Sequence, residues 1–507
     1  MLHHALSTLA SLIQFLGSAQ IPGDACDGLE LEPAILEDGT PHCRMGGFGS
    51  ALTYTGIDAT YLATPDRGPA DGATSWHDRA YLLDIRVEPD AAAPVSMSLL
   101  AAIPLVDEAG AALVGTSSAF DAAGSAASPR LDPEGVRVSP RGTFYVSDEY
   151  GPYLYEVDAG GRRIGVLPVP EELLIASPGA TAAAELPPFN TSGRQSNRGM
   201  EGLAISPDGR RLIGILQNAL LQDHALDAAN RRRGLYNRIL DVDVATGASR
   251  QYVYALDAAG NGVNELLAVD DHRFLVLERD GLAGAQAAFK RIFLIDLDGA
   301  TDVSAVASLP QSDPLPAGIA AVAKAPFLDL LDPGYGLAGA DFPEKVEGLA
   351  WAPDLADGRH ILLVSTDNDL QATAPSRVWA FAIPDEALAG VERAILAPAV
   401  VVQPWDRRHR VWPRLGLPTP VAILSEGLLD ATAIEPSTVR LAGAAPLRVW
   451  GVPLCFAWDL DADGDDDLVC VVDGGALALQ PGDTRAPLVA ATTTATPVRS
   501  EAAVTAR

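Results

Sequence analysis

One phrase recurs along this chain and limits what it can fold into. It occurs as Asp132-Pro133-Glu134-Gly135-Val136, as Met200-Glu201-Gly202-Leu203-Ala204 and as Val346-Glu347-Gly348-Leu349-Ala350. Each copy runs into a short apolar stretch and then a turn, at Ser139-Pro140-Arg141-Gly142, Ser206-Pro207-Asp208-Gly209 and Ala352-Pro353-Asp354. Proline and Asp-Gly steps preset tight turns, so each copy reads as loop, strand, turn and second strand. A supersecondary unit of this kind cannot bury its apolar face alone, and neighbouring units must stack. The repeat also puts a carboxylate at the same place in each unit, and in the first copy the second strand ends in a further acidic pair, Asp148-Glu149.

Short β-runs at hairpin spacing fill the chain from about Phe48 to Ile383, separated by Asp-Gly, Asp-Asp and Ala-Gly-Gly turns. Helical periodicity is scarce; Pro170–Ile175 and Ala317–Ala325 are expected as helical turns in long insertions. The pattern predicts an all-β protein whose main body is a β-propeller. A β-sandwich is the alternative, but roughly 340 residues is long for one sandwich. Blade number is left open. Beyond Leu396 the character changes, and a small β-sandwich-like calcium-binding module is expected at 418–488. The expected organisation is a leader and disulfide-closed segment (1–45), the propeller (46–396), a linker (397–417), this module, and a disordered Ala/Thr-rich tail (489–507).

A net charge of −30 excludes a nucleic-acid backbone as partner, because nothing would release its counterions. The four cysteines fall as two local pairs, Cys26/Cys43 and Cys455/Cys470, a spacing suited to short-loop disulfides in an oxidising compartment. The apolar run Ala5–Ala19 ends in Gly17-Ser18-Ala19, which resembles a leader-cleavage site, although no Lys or Arg precedes it. No other stretch approaches a membrane span. A secreted or periplasmic monomer is the expectation.

Glu134, Asp148, Glu149, Glu201, Glu265, Glu278, Asp280, Glu347, Asp367 and Asp369 all lie at the ends of β-runs. Any one of them is ordinary as a turn or surface residue; the repetition is what counts. In a propeller such ends converge on one face of the central channel, and carboxylates gathered there need cations to offset their repulsion. Ca²⁺ is the default for an all-oxygen set. The expected channel ligands are Glu134, Asp148, Glu149, Glu201, Glu265, Glu347 and Asp367. Arg67, Arg279, Lys290 and Lys345 punctuate the same ends and suit an anionic substrate. A separate motif, Asp459-Leu-Asp461-Ala-Asp463-Gly464-Asp465-Asp466-Asp467, alternates carboxylates around a glycine as calcium loops do. Its expected ligands are Asp459, Asp461, Asp463, Asp465 and Asp467, and its metal is expected to be structural. No G-x-S-x-G elbow, phosphate loop or dinucleotide fingerprint occurs. Ser147 and the histidines offer no nucleophile–base or metal spacing.

Several phrases together resemble the bacterial phytase-like family, also described as esterase-like activity of phytase. They are Asp66-Arg67-Gly68-Pro69, Asp132-Pro133-Glu134-Gly135, Ser147-Asp148-Glu149, Asn197-Arg-Gly-Met-Glu201-Gly202, Asn264-Glu265-Leu266-Leu267, Leu277-Glu278-Arg279, Lys345-Val-Glu347-Gly348 and Ser365-Thr-Asp367-Asn368. The resemblance runs from Phe48 to Ile383 and implies a propeller that hydrolyses phosphate or carboxylic esters. In that reading Ca²⁺ activates water, and Arg67, Glu201, Arg279 and Lys345 act on a small anionic ester. A lactonase-type esterase and a non-catalytic, calcium-stabilised binding scaffold are the alternatives. Convergence of Glu134, Glu201, Glu265 and Glu347 on one mouth beside Arg67 distinguishes enzyme from scaffold.

Overall fold

The computed structural model describes residues 12–115, 128–179 and 181–507. Residues 1–11, which hold most of the expected leader, lie outside the described residues. Two compact units emerge, one within residues up to 392 and a second made of 55–60, 139–143 and 393–507.

The first unit is a propeller of five four-stranded blades. Its strands are β1 (Gln14–Ile21), β2 to β5 (Ala51–Tyr54, Thr60–Thr64, Arg79–Val87, Val95–Pro104), and β6 to β9 (Pro133–Val138, Phe144–Asp148, Leu154–Val157, Arg163–Leu167). They continue as β10 to β13 (Met200–Ile205, Arg211–Leu216, Tyr236–Asp243, Ser249–Ala255) and β14 to β17 (Gly262–Ala268, Arg273–Arg279, Lys290–Asp296, Ala323–Asp329). The last are β18 to β20 (Val346–Ala352, His360–Thr366, Ser376–Ile383). Four blades take consecutive strands, and the fifth joins β18–β20 to β1, which pairs antiparallel with β20. The stretch expected to reach a cleavage site at Ala19 is thus the outer strand of a blade, with Ala19 opposite Val378. Β-strand pairing there satisfies an otherwise open edge.

The inner strands β2, β6, β10, β14 and β18 adjoin in a ring. The recurring Glu-Gly phrase opens three of them. The glycine is there because a Cβ on Gly135 would fall 2.6 Å from Leu203 Cβ, and one on Gly202 would fall 2.8 Å from the Glu265 carbonyl carbon. Only glycine lets adjacent inner strands approach this closely. Apolar side chains fill the spaces between blades; Leu277, Ile292, Leu349 and Leu362 are fully buried, each worth ~1.5–3 kcal/mol over exposure.

At the waist of the channel Arg137 ties the ring together. Its guanidinium donates to the carbonyls of Leu52 (2.9 Å) and Leu266 (2.8 Å), and its Nη2 lies 2.9 Å from the Glu265 carboxylate. Glu265 in turn accepts from the backbone N–H of Leu203 at 3.1 Å and of Leu266 at 2.9 Å. This one ion pair reaches β2, β6, β10 and β14.

Two local expectations change. Pro170–Ile175 contains only a short 3₁₀ turn, and Ala317–Ala325 is irregular until Ala323, where β17 begins. Alanine-rich composition suggests a helix, but β17 is an outer strand, where Pro326 is tolerated.

The second unit is a curled sheet. Its strands lie in the order Arg440–Leu441, Arg485–Ala491, Pro497–Ala503, Val400–Val402, Thr419–Ile423, Asp467–Val472 and Cys455–Trp458. Val421, Ile423, Leu441, Cys470 and Leu488 are buried in its core. The expected linker and disordered tail are corrected here: Val400–Val402 is the central strand, and Val401 pairs in parallel with Ala503 of Pro497–Ala503. Small residues hid the tail's period of two, yet Val498, Ala502, Val504 and Ala506 are all buried.

Both cysteine pairs are bonded, Cys26 to Cys43 and Cys455 to Cys470, as befits a protein of an oxidising, extracytoplasmic compartment. Among the described residues no helix is long and apolar enough to cross a membrane.

Candidate active site

The mouth of the channel is built from the first residues of inner strands and the residues just after the second strands. Each of β6, β10, β14 and β18 carries a bulge at its start, between Pro133 and Gly135, Met200 and Gly202, Val263 and Glu265, and Val346 and Leu349. A bulge re-aims the extra residue. It frees Glu134, Glu201, Glu347 and Asn264 from the ladder, and Glu149 follows the end of β7.

Glu134, Glu149, Glu201 and Glu347 are buried together, the most exposed at 8%. Burial, and then the charges of Glu201, Asp132, Glu149 and Glu347, push the Glu134 carboxyl well above the usual carboxylate range. Burial and the charges of Glu149 and Glu347 do the same to Glu201, against the opposing pull of Arg198. Asn264 donates to Glu201 Oε1 at 2.8 Å, and Gln217 donates to the same oxygen. The other oxygens stand apart: Glu149 Oε1, Glu201 Oε2 and Glu347 Oε2 are buried with no hydrogen-bond partner among the described residues. Asp132, Glu134 and Glu149 each bring an oxygen within 4.8 Å of the others. Such a set suits a hard cation.

Cations line the same mouth, in an open pocket of ≈ 530 Å³. Arg67 bonds Asp132 at 3.1 Å, lies 3.9 Å from Glu149, and also bonds Asp71. Arg279 bonds Glu347 Oε1 at 2.5 Å. Lys345 sits among Asp66 (3.0 Å), Asp367 (2.8 Å) and Asp369. Burial works against its charge, but the carboxylates of Asp367 and Asp66 outweigh it and hold the ammonium protonated well past its usual range.

The structure therefore gathers Glu134, Glu149, Glu201 and Glu347 with Arg67 and Arg279, keeps Lys345 on the same pocket wall but tied up by aspartates, and gives Asp148, Glu265, Asp367 and Lys290 other partners. Asp148 accepts backbone N–H groups on both oxygens, from Asp132 (3.0 Å), Tyr150 (3.2 Å) and Gly151 (2.7 Å). Burial pushes it up to about 6; it shapes the loop that carries Glu149. Glu265 is the partner of Arg137 at the waist, pushed up to about 7 by burial. The bulge makes Asn264, one residue earlier, the counterpart of Glu134, Glu201 and Glu347. Asp367 neutralises Lys345, and Lys290 braces the carbonyls of Asp280 and Glu344 at 2.8 and 2.6 Å. Ser147 donates to the Glu201 carbonyl at 3.4 Å.

In the second unit, Asp459, Asp461 and Asp463 each bring an oxygen within 4.8 Å of the others, and Asp459 Oδ1 is buried without a hydrogen-bond partner among the described residues. Asp467 instead accepts from Ser425 N and Leu460 N, both at 2.9 Å, and Asp465 is exposed.

Sequence reasoning missed Asp132, Gln217 and Asn264, and the pocket-lining Arg198 and Arg232. Asp132 and Asn264 stand inside quoted phrases, so lining those phrases up on their apolar residues was the available signal. Nothing local marks Arg232 within Arg231-Arg232-Arg233.

A family model described as "Phytase-like: Esterase-like activity of phytase" matches residues 44–370. An uncharacterized secreted protein of Arthroderma benhamiae is 27% identical over 319 residues, 48% of this chain and 61% of that protein. The chain thus spans less than two thirds of that relative's length. Among solved structures, the calcium-binding protein regucalcin from Agrobacterium tumefaciens is 10% identical, with TM-score 0.30 over 69% of this chain and 92% of that one. A gluconolactonase from Xanthomonas campestris is also 10% identical, with TM-score 0.28 over 72% and 97%. At such scores neither likeness bears on function. The family model covers well over half of the chain and takes in the whole channel mouth, so the chain belongs to the phytase-like family, esterase-like activity of phytase.

Proposed function

We propose that this is a secreted, calcium-dependent ester hydrolase whose site is the channel mouth, with anionic phosphate esters as the favoured substrates. The observation that carries the reading is the trio of orphaned buried oxygens on Glu149, Glu201 and Glu347, beside Glu134. A buried oxygen with no donor costs free energy unless a ligand takes it. Protons can relieve the repulsion, as can a cation, and calcium is the hard, oxygen-seeking ion of an extracellular setting.

When bound there, a cation supplies Lewis-acid polarisation and acidifies a water. Glu134, Glu149, Glu201 and Glu347 would hold it. Asn264 and Gln217 fix the Glu201 carboxylate so that its second oxygen faces the cluster. Arg67 and Arg279 flank the cluster and would stabilise negative charge growing on the ester's oxygens. Arg279 is drawn to Glu347 in the same way that it would be drawn to substrate, so ligand binding exchanges one oxyanion for another. Lys345 is held by three aspartates and acts on the pocket's shape. In the second unit a structural calcium would use Asp459, Asp461 and Asp463.

The test is calcium-dependent turnover by purified protein on a phosphomonoester, a phosphodiester, a lactone and an aryl ester, with and without EDTA. Phosphomonoester hydrolysis that EDTA abolishes supports the reading. Hydrolysis confined to the lactone or aryl ester moves it to a carboxylic esterase, and no turnover on any substrate leaves a calcium-stabilised scaffold.

A further inference from the structure

Most cations around the mouth already have carboxylate partners: Arg67 with Asp132, Arg279 with Glu347, Lys345 with Asp367. Arg198 and Arg232 line the same pocket and form no ion pair among the described residues. In a protein with 66 acidic residues against 36 Lys and Arg, carboxylate partners are plentiful, so two bare guanidiniums on one wall stand out.

Their surroundings keep them bare. The Gln217 amide stands between Arg198 and Glu201, taking the guanidinium on its oxygen and giving its nitrogen to the carboxylate. Arg232 meets a neutral partner, Asn218 Oδ1, at 3.3 Å. Asn197 holds the left-handed backbone (φ 51°) that asparagine tolerates, and the turn it makes, with Arg198 N on Gln195 O at 3.1 Å, sets Arg198 on the pocket wall. Arg232 is exposed as a residue, but its guanidinium sits part-buried against Asn218; that partial desolvation and the like charges of Arg198 and Arg279 weaken its hold on its proton. Like charges held together with no carboxylate bonded directly to either are relieved by an incoming anion, and a guanidinium's planar fork matches an oxyanion.

We infer that Arg198 and Arg232 form a second oxyanion subsite, which takes a phosphate or carboxylate group carried by the substrate in addition to the ester group at the carboxylate cluster. The subsite rests on the hydrolase reading for the identity of its ligand as a substrate. It makes the preferred substrate at least doubly anionic, with the spare anion on the Arg198–Arg232 side of the pocket.

Equilibrium binding of unreactive probes tests this with calcium present. The probes are benzylphosphonate, 4-carboxybenzylphosphonate and the corresponding para-bisphosphonate, which differ only in the second anion. A second anion should tighten binding to the unmodified protein about tenfold, the scale of one charge-assisted contact. The larger gain of the two identifies carboxylate or phosphate. In the Arg198→Gln/Arg232→Gln variant the ratio between probes should fall to about one, whatever happens to absolute affinity. A ratio near one in the unmodified protein, or a tenfold ratio that survives in the variant, overturns the subsite. If the ratio behaves as expected but no ester is hydrolysed, the hydrolase reading fails and the anion subsite stands.

Discussion

The waist and the mouth of the channel use the same residue types to opposite ends. At the waist, Glu265 meets Arg137 and two backbone N–H groups, and Arg137 spends its donors on carbonyls of neighbouring inner strands. At the mouth, four glutamates crowd together, and three of their oxygens have no hydrogen-bond partner among the described residues. A buried carboxylate whose partners come from the fold holds the fold together. One left short of partners is free to hold a ligand, which is the role proposed for the mouth.

The contrast predicts opposite signs for similar changes. Glu265→Ala should cost the most, roughly 3–5 kcal/mol, because it leaves Arg137 charged and unpaired in the waist. The denaturant midpoint reads this, and a loss below about 1 kcal/mol would remove the waist's structural role. Glu201→Gln should leave the calcium-free protein as stable as before or more so, since it deletes one repelling charge. Its phosphomonoester turnover should nevertheless fall by roughly 10²-fold. A variant that is destabilised without calcium, or fully active with it, would make the mouth resemble the waist.

A pH series sharpens the same comparison. Glu134 and Glu201 keep their protons in the calcium-free fold to higher pH than in the unfolded chain, whose glutamates titrate near 4.5. The folded state therefore binds more protons, and the associated stability is complete below that value and lost as pH rises through the raised ones. The slope is up to ~1.4 kcal/mol per pH unit for each group. On the proposed reading calcium would take the place of the protons, so melting curves with saturating calcium should show a shallower decline, and calcium affinity should rise with pH over the same window. Identical slopes with calcium and with EDTA would contradict this. The smallest effect belongs to Asp463→Ala, about 1 kcal/mol or less on the second unit, with turnover unchanged; a loss of turnover while the propeller stays folded would show the two units to be functionally coupled.

Much of this was legible in the chain. The Glu-Gly phrase marks inner strands, because glycine permits their approach and the bulge turns the glutamate to the mouth. The slip came at Asn264-Glu265, where the acid sits one place late. Aligning Glu201-Gly202-Leu203-Ala204 with Asn264-Glu265-Leu266-Leu267 puts Asn264 at the bulge position that Glu201 holds, and a one-residue shift in a strand reverses the face. Closure of the last blade by Gln14–Ile21 escaped notice because its partner, β20, lies over 350 residues away. The tail escaped because alanine and threonine carry little hydrophobic signal, even at a period of two. Arg198 and Arg232 could not be singled out, since having amide rather than carboxylate partners among the described residues is a property of the folded neighbourhood.

The most direct test of the central claim is a calorimetric calcium titration of Asp463→Ala, which disables the loop in the second unit, beside Asp463→Ala/Glu201→Gln. The account predicts one calcium bound at the mouth of the first protein, and affinity weakened by at least about tenfold in the second. Equal binding by both, or none by the first, would contradict it.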